Sequence, residues 1–277
     1  MPNNFVQYRK EGHLAFISLN RPERHNALNP WMMRRLHQLW QEYALDREAR
    51  ALVLHGAGPS FCSGMDLKES SPGFGYRSAD IPGVDQEEYA AAKALEALPG
   101  ERRRFRYVPP TELSKPIVAA LHGRVSGGGL ELALCSDVRI AAEGTTFALP
   151  EVTRGLAPGS GGMVLLPRIV GSGRALEWLL TGDVLDCEEA YRIGLVNRIV
   201  PKDELLASAS AMAERIARNA PKAVQAIKET VIRSLGNTIA DGMSFSEQQL
   251  QILSQTEDYE EGVLAFKEKR EPVFRGS

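Results

Sequence analysis

Residues 115–137 read KPIVAALHGRVSGGGLELALCSD, and the rest of the chain can be ordered around them. An apolar run of strand length ends at Gly123, three consecutive glycines follow at 127–129, and an apolar segment closes on Ser136 and Asp137. Strand, bare turn and new helix in so few residues form one unit of parallel pairing through a crossover connection. Glycine gives up the most backbone freedom on folding, so three in a row need a reason. One glycine would be explained by a helix packing closely on a strand. Three shift the reading toward a ligand brought against bare backbone, because the N–H groups opening a helix lack partners and attract negative charge.

Working outward, 5–20 reads as two strands joined at Glu11 and Gly12. A helix follows over 30–45, with Asn29 as its N-cap, Pro30 in its first position, and Met32, Leu36, Leu39, Trp40 and Tyr43 at helical spacing. Buried strands are predicted at 51–56 and 137–142 beside the one at 115–123. Strands alternating with helices give an α/β core, and from about Asp203 onward the pattern is almost wholly helical. Residues 69–112 are the least regular part, rich in Gly, Pro, Ser and charge. A connection that long fits a lid over a binding site or a mobile surface loop, the lid slightly better.

The bulk numbers close off several function classes. The chain has 277 residues, 43% hydrophobic and 25% charged, with a net charge of −2. That balance gives no global attraction for nucleic acid or anionic membrane. Three scattered cysteines make neither a disulfide framework nor a zinc site, and no apolar stretch reaches membrane-spanning length. The start lacks a charged segment followed by an apolar run, so a cytoplasmic protein is expected. GSGRAL at 171–176 has Leu176 where a dinucleotide fingerprint needs Gly or Ala, and GLAPGSGG at 155–162 lacks the Lys-Ser/Thr of a P-loop. Ser126 and Ser160 fail the G-x-S-x-G pattern, and no histidine pair has zincin spacing. No metal site is expected.

Two carboxylates remain. Glu131 follows the glycines among Leu130, Leu132, Ala133 and Leu134, so its helix is buried or partly so, and burial makes a carboxylate useful in proton transfer. Its plainer explanation is a favourable first-turn charge. Glu151, after Pro150 and ahead of another glycine-rich turn, reads by itself as a capping or surface residue. A second tight loop, FCSGMDLK at 61–68, also follows a buried strand and offers another N–H. Two donors aimed at one oxygen make an oxyanion hole.

The chain resembles the enoyl-CoA hydratase/isomerase (crotonase) family over nearly its whole length, and the hydratases within it most of all. The matching segments run in order: LNRPERHNAL (19–28), ALVLHGAGPSFCSGMDLKE (51–69), KPIVAALHGRVSGGGLELALCSDVRIAAE (115–143), FALPEVTRGLAPGSGG (147–162), LTGDVLDCEEAYRIGLVNRIVP (180–201) and EGVLAFKEKREPVF (261–274). The resemblance implies a crotonase-like ββα spiral over 1–200, holding the acyl-CoA site, and a helical oligomerisation region over 201–277 that makes a homotrimer or a dimer of trimers. It implies an oxyanion hole from the amides of Met65 and Gly128, a stabilisation worth roughly 3–4 kcal/mol per donor in other enzymes. It further implies catalysis by Glu131, activating water, and Glu151, donating a proton, to hydrate a 2-trans-enoyl-CoA. No cofactor is implied, since coenzyme A is part of the substrate. Arg24, His25, Ala27, Leu28, Ser63, Asp66, Leu67 and Lys68 fall on the coenzyme and substrate side, with Phe266 and Lys269 completing it from the last helix, by the match from a neighbouring subunit.

Three departures bear on the substrate. Met65 is larger than the small residue usual at the first hole position, Arg124 and Ser126 replace apolar or aromatic residues, and 69–112 is longer than in short-chain hydratases. A bulky or aromatic acyl group therefore stays open, as does isomerase or hydratase-lyase chemistry. Outside this class, RRRFRYV at 102–108 has the charge and aromatics of an RNA-binding cluster, with a solvated loop the better reading. A hydrolase using Cys62 or Ser63 would need a histidine that the sequence does not place nearby.

Overall fold

The computed structural model describes residues 4–68, 70–71, 75–76 and 107–277. The lid-or-loop segment, and the arginines of 102–106, thus fall largely outside the described residues. Strands β1 (Val6–Glu11) and β2 (Leu14–Leu19) pair antiparallel about the turn expected at Gly12. Then β3 (Ala51–Gly56), β6 (Ile117–Leu121), β8 (Val138–Ala142) and β11 (Arg198–Val200) add in parallel, giving the order β1-β2-β3-β6-β8-β11. Parallel neighbours need crossovers, and α1 (Pro30–Leu45) supplies the one between β2 and β3. Its Asn29 cap accepts from the Met32 N–H at 3.0 Å, and the five apolar residues read at helical spacing are all buried. Between β3 and β6, β4 (Ser70–Ser71) and β5 (Gly75–Tyr76) make a two-residue ladder.

A second, smaller sheet has the order β10-β9-β7, from β7 (Arg124–Ser126), β9 (Thr146–Ala148) and β10 (Val184–Leu185). It reveals the repeating unit. After β6 the chain turns at Gly123 into β7 and then α2 (Gly128–Leu134); after β8 it turns into β9, a short 3-10 turn (Pro150–Arg154) and α3 (Gly162–Val170). The loop after β3 joins the same small sheet through a single Cys62–Val125 bridge. Each turn of the chain therefore lays one segment in each sheet before its helix, which is a ββα spiral. Helices α4 (Ser172–Thr181) and α5 (Cys187–Arg192) lead into β11.

The strands are apolar on both faces, as buried parallel strands must be. Ile17, Leu19, Leu52, Leu54, Ile117 and Leu121 face the main core with Met32, Leu36 and Trp40 of α1. The alternate residues Phe16, Val53, Val118 and Ile140 meet Leu205, Ala209, Ala213 and Ala217 of α6 (Leu205–Ala217) on the other face. Each fully buried Leu or Ile contributes about 1.5–3 kcal/mol. Helices α7 (Pro221–Ser234), α8 (Ile239–Leu253) and α9 (Glu257–Glu268) follow, and they leave Ile227, Val231, Ile239, Met243 and Leu250 exposed. Among the described residues no helix is long and apolar enough to cross a membrane.

Candidate active site

The three glycines turn out to face three different neighbours. Gly127 has φ +53°, a conformation L side chains rarely adopt, and a β-carbon there would stand 2.9 Å from Glu151 Oε1. A β-carbon at Gly128 would stand 2.7 Å from the Tyr107 hydroxyl, and one at Gly129 only 2.5 Å from the Cys62 carbonyl oxygen. Gly129 is thus a packing residue, while Gly127 and Gly128 bare the backbone toward titratable side chains. The loop after β3 is zipped alongside: Ser126 N–H donates to Cys62 O at 2.9 Å, and Cys62 N–H to Arg124 O at 3.2 Å. This register sets Gly64 against the turn, the position of its absent β-carbon lying 3.2 Å from Gly128 N. Met65 is one residue on. Among the described residues, the amides of Met65 and Gly128 donate to no protein group.

The two carboxylates border this turn in unlike environments. Glu131 is 4% exposed, and both its oxygens are met by donors: Oε1 accepts from Ser160 N–H at 2.6 Å and Gly162 N–H at 3.0 Å, and Oε2 from the Tyr107 hydroxyl at 2.9 Å. Glu151 lies on the 3-10 turn, half-buried, and its Oε2 is buried with no hydrogen-bond partner among the described residues. Burial pushes its pKa above the usual carboxylate range. Its own backbone and Arg154 pull the other way, and the charge of Glu131 adds to the rise.

Segments 21–28 and 60–68 are stitched into one unit. Asn26, itself at φ +54°, sends its amide to the carbonyls of Ala57, Ser60 and Phe61, and accepts from the Arg21 N–H. Leu28 N–H donates to Gly64 O, and Asp66 N–H returns a bond to Leu28 O, so the Met65 amide is carried between two fixed residues. Below them Arg21 and Asp66 form a buried ion pair at 2.7 Å. Arg24, His25, Leu67 and Lys68 are exposed along the same rim; Ser63 is half-buried, and Ala27 and Leu28 lie beneath.

With this geometry in hand, comparison with known proteins gives a single answer. The enoyl-CoA hydratase/isomerase family model matches residues 9–81 and 75–277. The chain belongs to that family. It is 37% identical over 273 residues to an (E)-benzylidenesuccinyl-CoA hydratase of Thauera aromatica, covering 98% of this chain and 99% of that one. It is 34% identical over 271 residues to a short-chain-enoyl-CoA hydratase of Clostridium acetobutylicum, covering 98% and 97%. The crystal structure of an enoyl-CoA hydratase from Bacillus anthracis superposes with a TM-score of 0.84 at 34% identity, covering 99% of this chain and all of that one. The fold is therefore the crotonase fold, and membership of this family supports enoyl-CoA hydratase activity, a hydro-lyase reaction on acyl-CoA.

Set against what this family resemblance implied, the structure brings Glu131, Glu151, Met65, Gly128 and the 24–28 and 63–68 segments together. Asp66, expected on the substrate side, turns its carboxylate inward onto Arg21 and the Lys68 N–H. Phe266 and Lys269 lie elsewhere in this chain: Phe266 is 86% exposed and borders an apolar groove of about 560 Å³ between α7, α8 and α9. Two readings are corrected. Tyr107, counted as a surface aromatic of the RNA-type cluster, is buried in the core with Val108. Cys62, weighed as a nucleophile, is wholly buried; desolvation pushes its thiol up to about 12, so it stays protonated and donates to Asn26 O. Tyr107 and Asn26 were missed as site residues. The Asn26 signal was present in HNAL, flanked by loop residues, whereas nothing local to Tyr107 points across 24 positions to Glu131.

Proposed function

We propose that this protein adds water across the C2–C3 bond of a 2-trans-enoyl-CoA with Glu131 as base and Glu151 as acid. The observation that carries the reading is the asymmetry of two carboxylates beside two unpartnered amides. In this mechanism the thioester oxygen accepts from the Met65 and Gly128 N–H groups. Glu131 takes a proton from water as its oxygen bonds to C3, and the electron pair of the double bond moves toward the thioester oxygen. Glu151, whose proton affinity burial raises, gives its proton to C2. The product is a 3-hydroxyacyl-CoA, and passage of the proton from Glu131 to Glu151 through water resets the pair. No electrons leave or enter, so the reaction as proposed calls for no electron carrier.

On this reading Arg24, His25 and Lys68 meet the coenzyme phosphates as local cations on a slightly acidic protein, and Ala27 presents backbone to the adenine. Phe266 and Lys269 act from a neighbouring subunit. The exposed apolar residues of α7–α9 support assembly as a homotrimer or a dimer of trimers, and we place the enzyme in the cytoplasm. The test is loss of enoyl-thioester absorbance over a panel from crotonyl-CoA to aryl-substituted enoyl-CoAs, with Glu131→Gln and Glu151→Gln beside the wild type. Each variant is expected to lose about 10²–10⁴-fold in kcat. Near-wild-type rates in both would overturn the assignment, and release of an aldehyde would redirect it to hydratase-lyase chemistry.

A further inference from the structure

Resting on that hydration reading, we infer that Tyr107 is a positioning residue for the base, its hydroxyl fixing the rotation of the Glu131 carboxylate against the glycine turn. The last torsion of a glutamate is broad, and the carboxylate is planar, so donors on both oxygens narrow its rotation more than donors on one. Here Oε1 is held by two backbone N–H groups and Oε2 by the phenol at 2.9 Å. The phenol is itself located. Its hydroxyl lies over the bare face of Gly128, 2.7 Å from where a β-carbon would be, and the Trp40 indole donates to the Tyr107 carbonyl at 2.7 Å, tying it to α1. The Ser160 amide, on the glycine-rich turn before α3, serves the other Glu131 oxygen. Burial and the Glu131 charge push the phenol pKa well up, so the group remains a donor throughout the working range.

A ring that merely filled space would be replaced by phenylalanine without effect. The positioning role instead predicts that Tyr107→Phe lowers kcat by about 10- to 100-fold with KM within twofold of wild type. The melting temperature should move little, because the ring and its packing remain. The effect must also vanish where there is no carboxylate to orient: in a Glu131→Gln background, Tyr107→Phe should change the rate less than twofold. Unchanged kcat, or the same loss in both backgrounds, overturns the role. Isotope-edited infrared spectra read the contact without turnover. The Glu131 carboxylate stretch should shift in Tyr107→Phe, and an unmoved band overturns the inference. If the wild type hydrates no enoyl-CoA, the hydration reading fails, and the infrared result still decides separately whether the phenol holds the carboxylate.

Discussion

Alanine at each position of the glycine turn separates packing from chemistry. In Gly129→Ala the new β-carbon lies 2.5 Å from a backbone oxygen and 2.6 Å from Cys62 Cβ, so the loop carrying Met65 has to move. Overpacking against backbone belongs at the upper end of its range, about 3 kcal/mol. Better helix propensity returns about 1 kcal/mol. The net of about 2 kcal/mol lowers the melting temperature by about 4–8 °C in a chain of this size. In Gly128→Ala the nearest obstacle, at 2.7 Å, is the Tyr107 hydroxyl, a side chain rather than backbone, and it yields only by leaving Glu131. The same helix gain offsets about 1 kcal/mol of the overpacking, but the buried Glu131 oxygen that loses its phenol donor costs about 1–3 kcal/mol, so the melting point falls about as far as in Gly129→Ala. Its activity should collapse even well below that melting point. On the proposed mechanism, a methyl group crowds the turn whose amide the thioester oxygen meets and displaces the phenol from Glu131, a loss of about 10²–10³-fold in kcat. Gly127→Ala combines both faults, since φ +53° costs about 1–3 kcal/mol for a residue with a side chain and Glu151 is in the way. Thermal melts beside hydration rates at 25 °C make the comparison. A Gly128→Ala enzyme within about threefold of wild-type rate, or a Gly129→Ala protein melting like wild type, would refute the reasoning.

Two further outcomes follow from the same geometry. Because burial raises the folded-state pKa of Glu151 above its unfolded value, its charge subtracts from stability as pH rises past the ordinary carboxylate range. Glu151→Gln should therefore melt above the wild type at pH 8 and show no advantage at pH 4; an equal difference at both pH values would count against it. Asp66→Asn strips the Arg21 guanidinium of its buried carboxylate, a loss of about 3–5 kcal/mol, and should lower the melting temperature by about 10 °C. Hydration should fall as well, measured well below that melting point, because the Met65 amide hangs from Asp66; full activity there would separate the ion pair from the site.

Local chemistry made much of this fold legible. Asn29 and Pro30 mark the start of α1, and the apolar spacing from Met32 to Tyr43 marks its buried face. The runs at 51–56 and 115–123 read as buried strands because both faces of the strands they form, 51–56 and 117–121, are covered. The spiral itself was not legible from periodicity. Its second strands, 124–126 and 146–148, are three residues each, too short to show a period, and they pair across sequence rather than with their neighbours. The site divides in the same way. Glu131 stood out as an acid among leucines, but Glu151 looked like a cap, since what buries it is the turn at Gly127, remote in sequence. Tyr107 and the Arg21–Asp66 pair were invisible for the same reason: each is a function of a partner brought near only by the fold.

The difference between the two glutamates can be followed one step further. A buried carboxylate oxygen with no donor costs about 1–3 kcal/mol, and the chain had nearby means to supply one. It did so for Glu131, recruiting two backbone amides and a phenol. At Gly127 it went the other way. The residue without a side chain makes room for Glu151, yet among the described residues no amide is turned toward Oε2. A donor there would favour the charged form and draw the proton off the acid before it is needed. On the proposed mechanism, leaving the oxygen without a donor favours the protonated carboxyl and reserves the hydrogen-bonding position for the atom that receives the proton. The instability at Glu151 and the acid role proposed for it therefore have one cause, and any substitution that supplies the missing donor should stabilise the charged form of Glu151 and slow the proton transfer together.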